Sequence, residues 1–224
     1  MLRRHVLPAA LVALLFSSLG HGQAWVEGTH YFPVVPAHPS DTPGKIEVTE
    51  VFSYGCPFCA KFNPLMHELK KSLPVNAKLV YVPASFNPAE SWPMFQRAVC
   101  TAQVLGIFDK TNDAMFDAVW KTGELAITDP QTNQLKKPQP TIEDAARYYS
   151  RISGVSASDF LKAAASFSVD MKMRAADALV IKTYHVESTP SLIVNGKYRV
   201  SPQSAGGMTQ MIEVVKWLVA KETH

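Results

Sequence analysis

Cys56 and Cys59, two of the three cysteines in the chain, are separated by two residues in the stretch YGCPFCAKF, Tyr54 to Phe62. A pair at this spacing can form half of a zinc site, close a structural disulfide or act as a reactive dithiol. A reactive dithiol exchanges electrons with other thiols through mixed disulfides, and it needs no metal for that reaction. The first question is which of these three chemistries the rest of the chain permits.

The remaining residues favour redox chemistry over metal binding. A structural zinc ion takes four ligands, usually from two such cysteine pairs or from one pair and two histidines, and the sequence contains neither arrangement. Three cysteines in 224 residues are also too few for a disulfide scaffold. Cys100, flanked by apolar residues in QRAVCTAQVLG, is predicted to be a buried thiol. No metal site is predicted.

The elements around the pair form a β-α-β unit. Lys45–Ser53 is rich in β-branched and apolar residues and predicts a buried strand. Apolar residues then recur at spacings of three and four after Pro57, which predicts a helix that begins at the cysteine pair. Ala77–Ser85 predicts the next strand, so the sheet should contain a parallel pair.

This placement gives the two sulfurs different properties. The first turn of a helix has unpaired backbone N–H groups and a positive dipole end, both of which stabilise a thiolate. The pKa of Cys56 should therefore be lowered, which makes it the nucleophile. Cys59, one turn further on, should face the core and act as the resolving thiol.

Glu50 is the third candidate for chemistry. It stands six positions before the first cysteine, and strand alternation places it on the same apolar face as Ile46 and Val48. A buried carboxyl there would have a raised pKa and could exchange a proton with Cys59. The alternative is a solvated strand residue, which is the expectation for Glu47 on the opposite face.

The rest of the chain predicts a helical block and then a hairpin. Five amphipathic segments lie between Ser91 and His185, interrupted by a polar loop at Thr128–Pro140. Asn195-Gly196 between two apolar runs predicts a β-hairpin over Ser191–Val200, and a last helix follows. The sequence therefore predicts one α/β domain interrupted by helices.

The N-terminal segment predicts export. Arg3 and Arg4 precede an apolar run at Val6–Phe16, which is shorter than a membrane span, and small residues around Gly22–Ala24 suggest a cleavage site. Residues 1–24 are therefore predicted to be a removed signal peptide. Removing the two arginines lowers the formal net charge from +3 to +1, and no basic cluster predicts binding to nucleic acid.

Two motifs carry a resemblance to a known family. EVFSYGCPFC, Glu50 to Cys59, and VESTPSLIVNGKY, Val186 to Tyr198, together resemble the DsbA-like thiol:disulfide interchange proteins of the thioredoxin-fold superfamily. The resemblance implies a thioredoxin fold interrupted by an inserted all-helical domain. The thioredoxin-like part would comprise residues 25–89 and 186–224, and the insertion residues 90–185.

The resemblance also implies roles for single residues. Pro190 would follow a cis peptide bond beside the cysteines, and Thr189 would hold a substrate chain through its backbone. Pro57 and Phe58, between the cysteines, would tune the redox equilibrium. Strong oxidases of this family carry histidine where this chain has Phe58, so we expect a less acidic Cys56 and a less oxidising disulfide.

The implied function is that of a periplasmic dithiol oxidase without cofactor or metal. Its partners would be reduced, unfolded exported proteins and a membrane quinone-linked reoxidant of the DsbB type, and the protein would be a monomer. Two alternatives stay open. One is a disulfide isomerase or reductase that is kept reduced, and the other is a non-catalytic module that binds a metal or a protein chain.

Overall fold

The structure is a computed structural model that describes residues 25–40 and 42–223. The predicted signal peptide, residues 1–24, lies outside this range. Within the described residues, five strands form one sheet in the order β1-β5-β4-β2-β3. The strands are β1 (Phe32–Pro33), β2 (Ile46–Phe52), β3 (Ala77–Pro83), β4 (Ser191–Val194) and β5 (Tyr198–Val200).

The central strand β2 connects the two halves of the sheet. It pairs in parallel with β3 and antiparallel with β4, which confirms the parallel pair expected from the β-α-β unit. All of its residues are buried, as expected for a β-branched run covered on both faces. The carboxyl end of β2 leads directly to the cysteine pair.

Helices cover the sheet and form a block between β3 and β4. Within the described residues they are α1 (Pro57–Ser72), α2 (Trp92–Val104), α3 (Phe108–Trp120), α4 (Ile142–Ser153), α5 (Ala157–Ala164), α6 (Phe167–Asp177), α7 (Pro202–Ala205) and α8 (Met208–Glu222). A π-helical turn, Ala178–Thr183, continues α6 towards β4. This matches the predicted order of β-α-β unit, helical block, hairpin and final helix.

The hairpin between β4 and β5 uses the predicted Asn-Gly turn. Asn195 and Gly196 have φ angles of 52° and 62°, the left-handed conformation that this turn requires. A β carbon at Gly196 would overlap the backbone carbonyl of His38. Only glycine therefore fits at this position, and the turn fixes the register of β4 beside β5.

The cysteine pair belongs to an apolar core that is shared with the helical block. The largest apolar cluster runs from Phe52 at the end of β2, through both cysteines, to side chains of α2–α5. Trp92 lies in this cluster, and Cys100 on the same helix is fully buried, as predicted. The helical block thus packs directly against the end of the sheet where the cysteines lie.

The expectation that Glu47 is solvated was wrong. Its side chain is 7% exposed, and its carboxylate accepts hydrogen bonds from the hydroxyl groups of Ser40, Thr42 and Thr49. The first two donors lie in the irregular segment before β2, which covers this face of the strand. Strand alternation alone could not predict that cover.

Candidate active site

Cys56 is the N-cap residue of α1, directly after the turn that follows β2. The backbone N–H of Cys59 donates a hydrogen bond to Cys56 Sγ at 3.3 Å. Across the site, Cys56 Sγ donates to the backbone carbonyl of Thr189 at 3.4 Å. The sulfur of Cys56 therefore lies at the start of α1, as the sequence predicted, and faces Thr189, which precedes β4.

The surroundings of Cys56 lower its pKa to about 6. The largest cause is a hydrogen bond from the side chain of Cys59, and the side chain of Thr189 and the backbone N–H groups of Cys59 and Phe58 add to it. Burial opposes the shift and is outweighed. At neutral pH the reduced site holds a thiolate at Cys56.

Cys59 has the opposite character. It is fully buried, and burial together with the charge of Cys56 raises its pKa well above the ordinary thiol value. The reduced pair therefore carries its negative charge on Cys56 and keeps its remaining proton on Cys59. This asymmetry is what a nucleophilic and a resolving thiol require.

Glu50 lies beneath the pair on β2. It is 2% exposed, and burial, followed by the nearby charge of Cys56, raises its pKa to about 8. The negative charge of Glu50 in turn contributes to the raised pKa of Cys59. Glu50 is thus protonated at neutral pH and lies close enough to both sulfurs to interact with them electrostatically.

Thr189 and Pro190 form the opposite wall of the site. The peptide bond between them is cis, Pro190 is buried, and Ser191 begins β4 beside Val51 of β2. The fold brings Thr189 to Cys56 across 133 positions in the sequence. These are the two residues that the resemblance to the interchange proteins had indicated.

Pro57 and Phe58 face outward between the cysteines. Pro57 occupies the first turn of α1, where its missing N–H costs no hydrogen bond. Phe58 is 57% exposed, and Lys61 Nζ lies 5.7 Å from its ring centre. A surface cavity of about 280 Å³ adjoins the pair and has a largely apolar lining, formed by Phe58, Thr189, Pro190, Pro202, Gln203, Gly207 and Met208.

Sequence reasoning missed the residues that support the turn before Cys56. Tyr54 is fully buried, and its hydroxyl donates to Asn112 Oδ1 at 2.9 Å. Trp120 Nε1 donates to the Tyr54 carbonyl at 2.7 Å. Both partners come from α3, so the helical block fixes the position of Tyr54 in the turn before Cys56. The sequence contains no local signal for these long-range bonds.

Within residues 25–40 and 42–223, no group of three or more His, Cys, Asp and Glu side chains is arranged to hold a metal ion. No helix in the same ranges is long and apolar enough to cross a membrane.

The chain is similar to known proteins over most of its length. A family model described as thioredoxin matches residues 41–214. The thiol:disulfide interchange protein DsbA of Pseudomonas syringae pv. tomato is 34% identical over 223 residues, 99% of this chain and 96% of the relative. The DsbA of Azotobacter vinelandii is 34% identical over 189 residues, 84% of this chain and 80% of the relative.

Solved structures agree with these relatives. The oxidoreductase DsbA from Xylella fastidiosa superposes with a TM-score of 0.77 at 27% identity, covering 88% of this chain and 97% of that chain. Pseudomonas aeruginosa DsbA gives 0.74 at 32% identity, covering 89% of this chain and 95% of that chain. The predicted fold, a thioredoxin fold interrupted by inserted helices, is confirmed.

Proposed function

We propose that this chain works as a dithiol oxidase. The chain belongs to the DsbA-like thiol:disulfide interchange proteins and is a thiol:disulfide oxidoreductase. The observation that carries the oxidising direction is the lowered pKa of Cys56, about 6. A stabilised thiolate favours the reduced form of the protein, so the oxidised form readily passes its disulfide to a substrate.

The proposed reaction has two displacements. A substrate thiolate attacks Cys56 Sγ of the oxidised protein, which forms a mixed disulfide and releases Cys59 as a thiolate that takes up a proton. A second substrate thiolate then attacks the substrate sulfur of the mixed disulfide and releases the Cys56 thiolate. The substrate loses two electrons and gains a disulfide, and the protein is left as the reduced pair.

Glu50 is the proposed proton donor for Cys59. A buried thiolate is costly, and a protonated carboxyl beside it can supply the missing proton. The raised pKa of Glu50, about 8, keeps that proton in place at neutral pH. In the reverse step, Glu50 would take the proton back as Cys59 becomes a nucleophile.

Thr189 and Pro190 are the proposed substrate contacts. A substrate strand that reaches Cys56 must pass the Thr189 backbone, whose carbonyl lies 3.4 Å from Cys56 Sγ. Backbone pairing there would hold any extended chain independently of its side chains. Phe58, with Pro57, forms the outer edge of the site and is the proposed tuning position.

The proposed setting is the periplasm, reached through a removed signal peptide at residues 1–24. Substrates would be reduced, unfolded exported proteins, and a membrane quinone-linked partner of the DsbB type would restore the disulfide. The protein would act as a monomer, with no cofactor beyond its own cysteines. Membership of the family supports these assignments.

The test is oxidation of a reduced, unfolded protein by the purified oxidised chain. We expect stoichiometric disulfide transfer by the wild-type protein and no transfer by Cys56→Ser or Cys59→Ser, since neither variant can form the Cys56–Cys59 disulfide. Cys100→Ser is the matched control, since Cys100 is a buried cysteine outside the pair, and it should behave as the wild type. Failure of the wild-type protein to form substrate disulfides, or a Cys56 that is mostly reduced in cells, would contradict the proposal.

A further inference from the structure

The position of Glu50 raises a question of proton supply. At 2% exposure Glu50 has almost no contact with bulk water, and Cys56 lies close enough to interact with its carboxyl electrostatically. Every cycle of the proposed reaction moves one proton to Cys59 and later moves one back. Glu50 therefore needs a group that connects it to solvent.

Tyr81 is the neighbour of Glu50 on β3. The parallel register pairs the two residues directly, so both side chains point to the same face of the sheet. The Tyr81 ring packs against Phe52 and Phe108, with ring centres 5.7 and 5.0 Å apart. Gln103 Nε2 donates to the Tyr81 carbonyl at 2.9 Å and fixes the backbone there. Tyr81 is thus held in place beside the buried acid.

The other side of Tyr81 faces open space. β3 is an edge strand of the sheet, and Tyr81 is only partly buried. It lines two surface cavities, of about 320 and 290 Å³, together with Lys78, Leu79 and Asp109. Among the residues that line these cavities, Tyr81 is the strand partner of Glu50. Tyr81 therefore has the buried acid as its strand partner and also lines cavities that open to water.

The charges around Tyr81 keep its hydroxyl protonated. Burial is the main reason that its pKa is raised, and the negative charges of Glu50, Asp109 and Asp113 add to the shift. Lys70 from α1, Lys78 from β3 and Lys172 from α6 also line the cavities. A neutral phenol can donate one hydrogen bond while it accepts another, which is what passing a proton along requires.

We propose that the Tyr81 hydroxyl relays protons between Glu50 and the solvent in these cavities. The inference rests on the proposed function and adds to it the route by which Glu50 is reprotonated. After Glu50 protonates Cys59, its carboxylate takes the hydroxyl proton of Tyr81 while the phenol oxygen takes a proton from water. Tyr81 is unchanged at the end, and reoxidation reverses the direction. It acts through Glu50 and does not touch the sulfurs.

The test compares Tyr81→Phe with Tyr198→Phe, a strand tyrosine on the other side of β2 that is also partly buried. Dithiothreitol reduces the oxidised protein in a stopped-flow instrument, and a pH-indicator dye follows the proton uptake from solvent that comes after cleavage of the disulfide, in H2O and in D2O. We expect Tyr81→Phe to slow this proton uptake by about tenfold near neutral pH, which is less than the full loss of an acid–base group. The solvent isotope effect should increase, and the glutathione redox equilibrium should not change. Tyr198→Phe should match the wild type.

A double-mutant cycle separates a relay from a packing effect. Adding Tyr81→Phe to Glu50→Gln should cause no further slowing, since the hydroxyl then has no acid to serve. The relay is refuted by a Tyr81→Phe variant with wild-type rate and isotope effect, or by one whose slowing persists in the Glu50→Gln background. Dithiothreitol reduces the disulfide whichever direction is physiological. Failure of substrate oxidation by the wild type would therefore reject the proposed function separately.

Discussion

The indole of Trp92 occupies the space beside Gly55 in which any other residue would place its β carbon. A β carbon built at Gly55 would lie 2.6 Å from Trp92 Nε1 and 2.7 Å from Trp92 Cδ1. Gly55 immediately precedes Cys56, and Trp92 begins α2 of the helical block. Glycine is therefore required here by close packing between the helical block and the turn that presents the reactive sulfur.

Gly55→Ala should destabilise the protein by roughly 1–3 kcal/mol, since a rigid, buried ring must move to admit one methyl group. Urea unfolding measures this change. Trp92→Phe provides the matched test, because a smaller ring leaves room for the added carbon. The two substitutions together should cost less than the sum of their separate effects, and strict additivity would contradict the steric explanation.

Alkylation of the reduced protein by iodoacetamide should report the pKa of Cys56. Only the thiolate reacts, so the rate should be half-maximal near pH 6 and should fall as the pH drops below that value. Cys59 and Cys100 are fully buried and should not contribute. Cys56→Ser should therefore abolish labelling. A midpoint at the ordinary thiol value would show that the contacts around Cys56 do not stabilise its thiolate.

Glu50→Gln should stabilise the reduced protein at alkaline pH. An acid with a higher pKa in the folded than in the unfolded state costs stability as the pH rises between the two values, here from 4.5 to about 8. Glutamine avoids that cost, which reaches the order of 4 kcal/mol at pH 8 and vanishes below pH 4. Denaturant unfolding across this range measures the difference.

Glu213→Gln, on the exposed face of α8, is the control for the charge change. Its effect on stability should be small and should not rise with pH in the same way. If Glu50→Gln differs from the wild type by a constant amount at every pH, Glu50 does not titrate with a raised pKa.

Phe58→His should make the disulfide more oxidising. An imidazole can donate to the Cys56 thiolate or pair with its charge, whereas a phenyl ring cannot. Each unit by which the pKa of Cys56 falls favours the reduced form by about tenfold, so the glutathione equilibrium should shift by that order. Phe58→Leu keeps an apolar side chain and should change the equilibrium little. An equilibrium unmoved by histidine would refute the tuning hypothesis.

Local patterns in the sequence were enough to predict β2, α1, β3 and the Asn195-Gly196 hairpin, because periodicity and turn chemistry act over a few residues. They also located the cysteines and Glu50, since a carboxyl on an apolar strand face is anomalous wherever it occurs. The support of the site was not predictable in this way. Tyr54 is held by Asn112 and Trp120, and contacts of this kind depend on packing between distant segments.

The burial of Glu47, on the other face of β2, was also not predictable from local sequence patterns. Its burial depends on the irregular chain before the strand, which has no periodic pattern to interpret. Strand β1 has two residues, too few for a pattern, and was not predicted. The pairing of Glu50 with Tyr81 follows from strand register, which the sequence alone did not specify.

The separation of Cys56 and Thr189 by 133 positions also bears on when the site first exists. Contacts between distant segments form late, since the intervening chain must be ordered before they repay its entropy. A chain that emerges N-terminus first therefore lacks the contact between Thr189 and Cys56 until β4 docks beside β2. The site is therefore complete only when synthesis and folding are nearly finished, and a truncated or half-folded chain lacks the wall that Thr189 and Pro190 form beside Cys56.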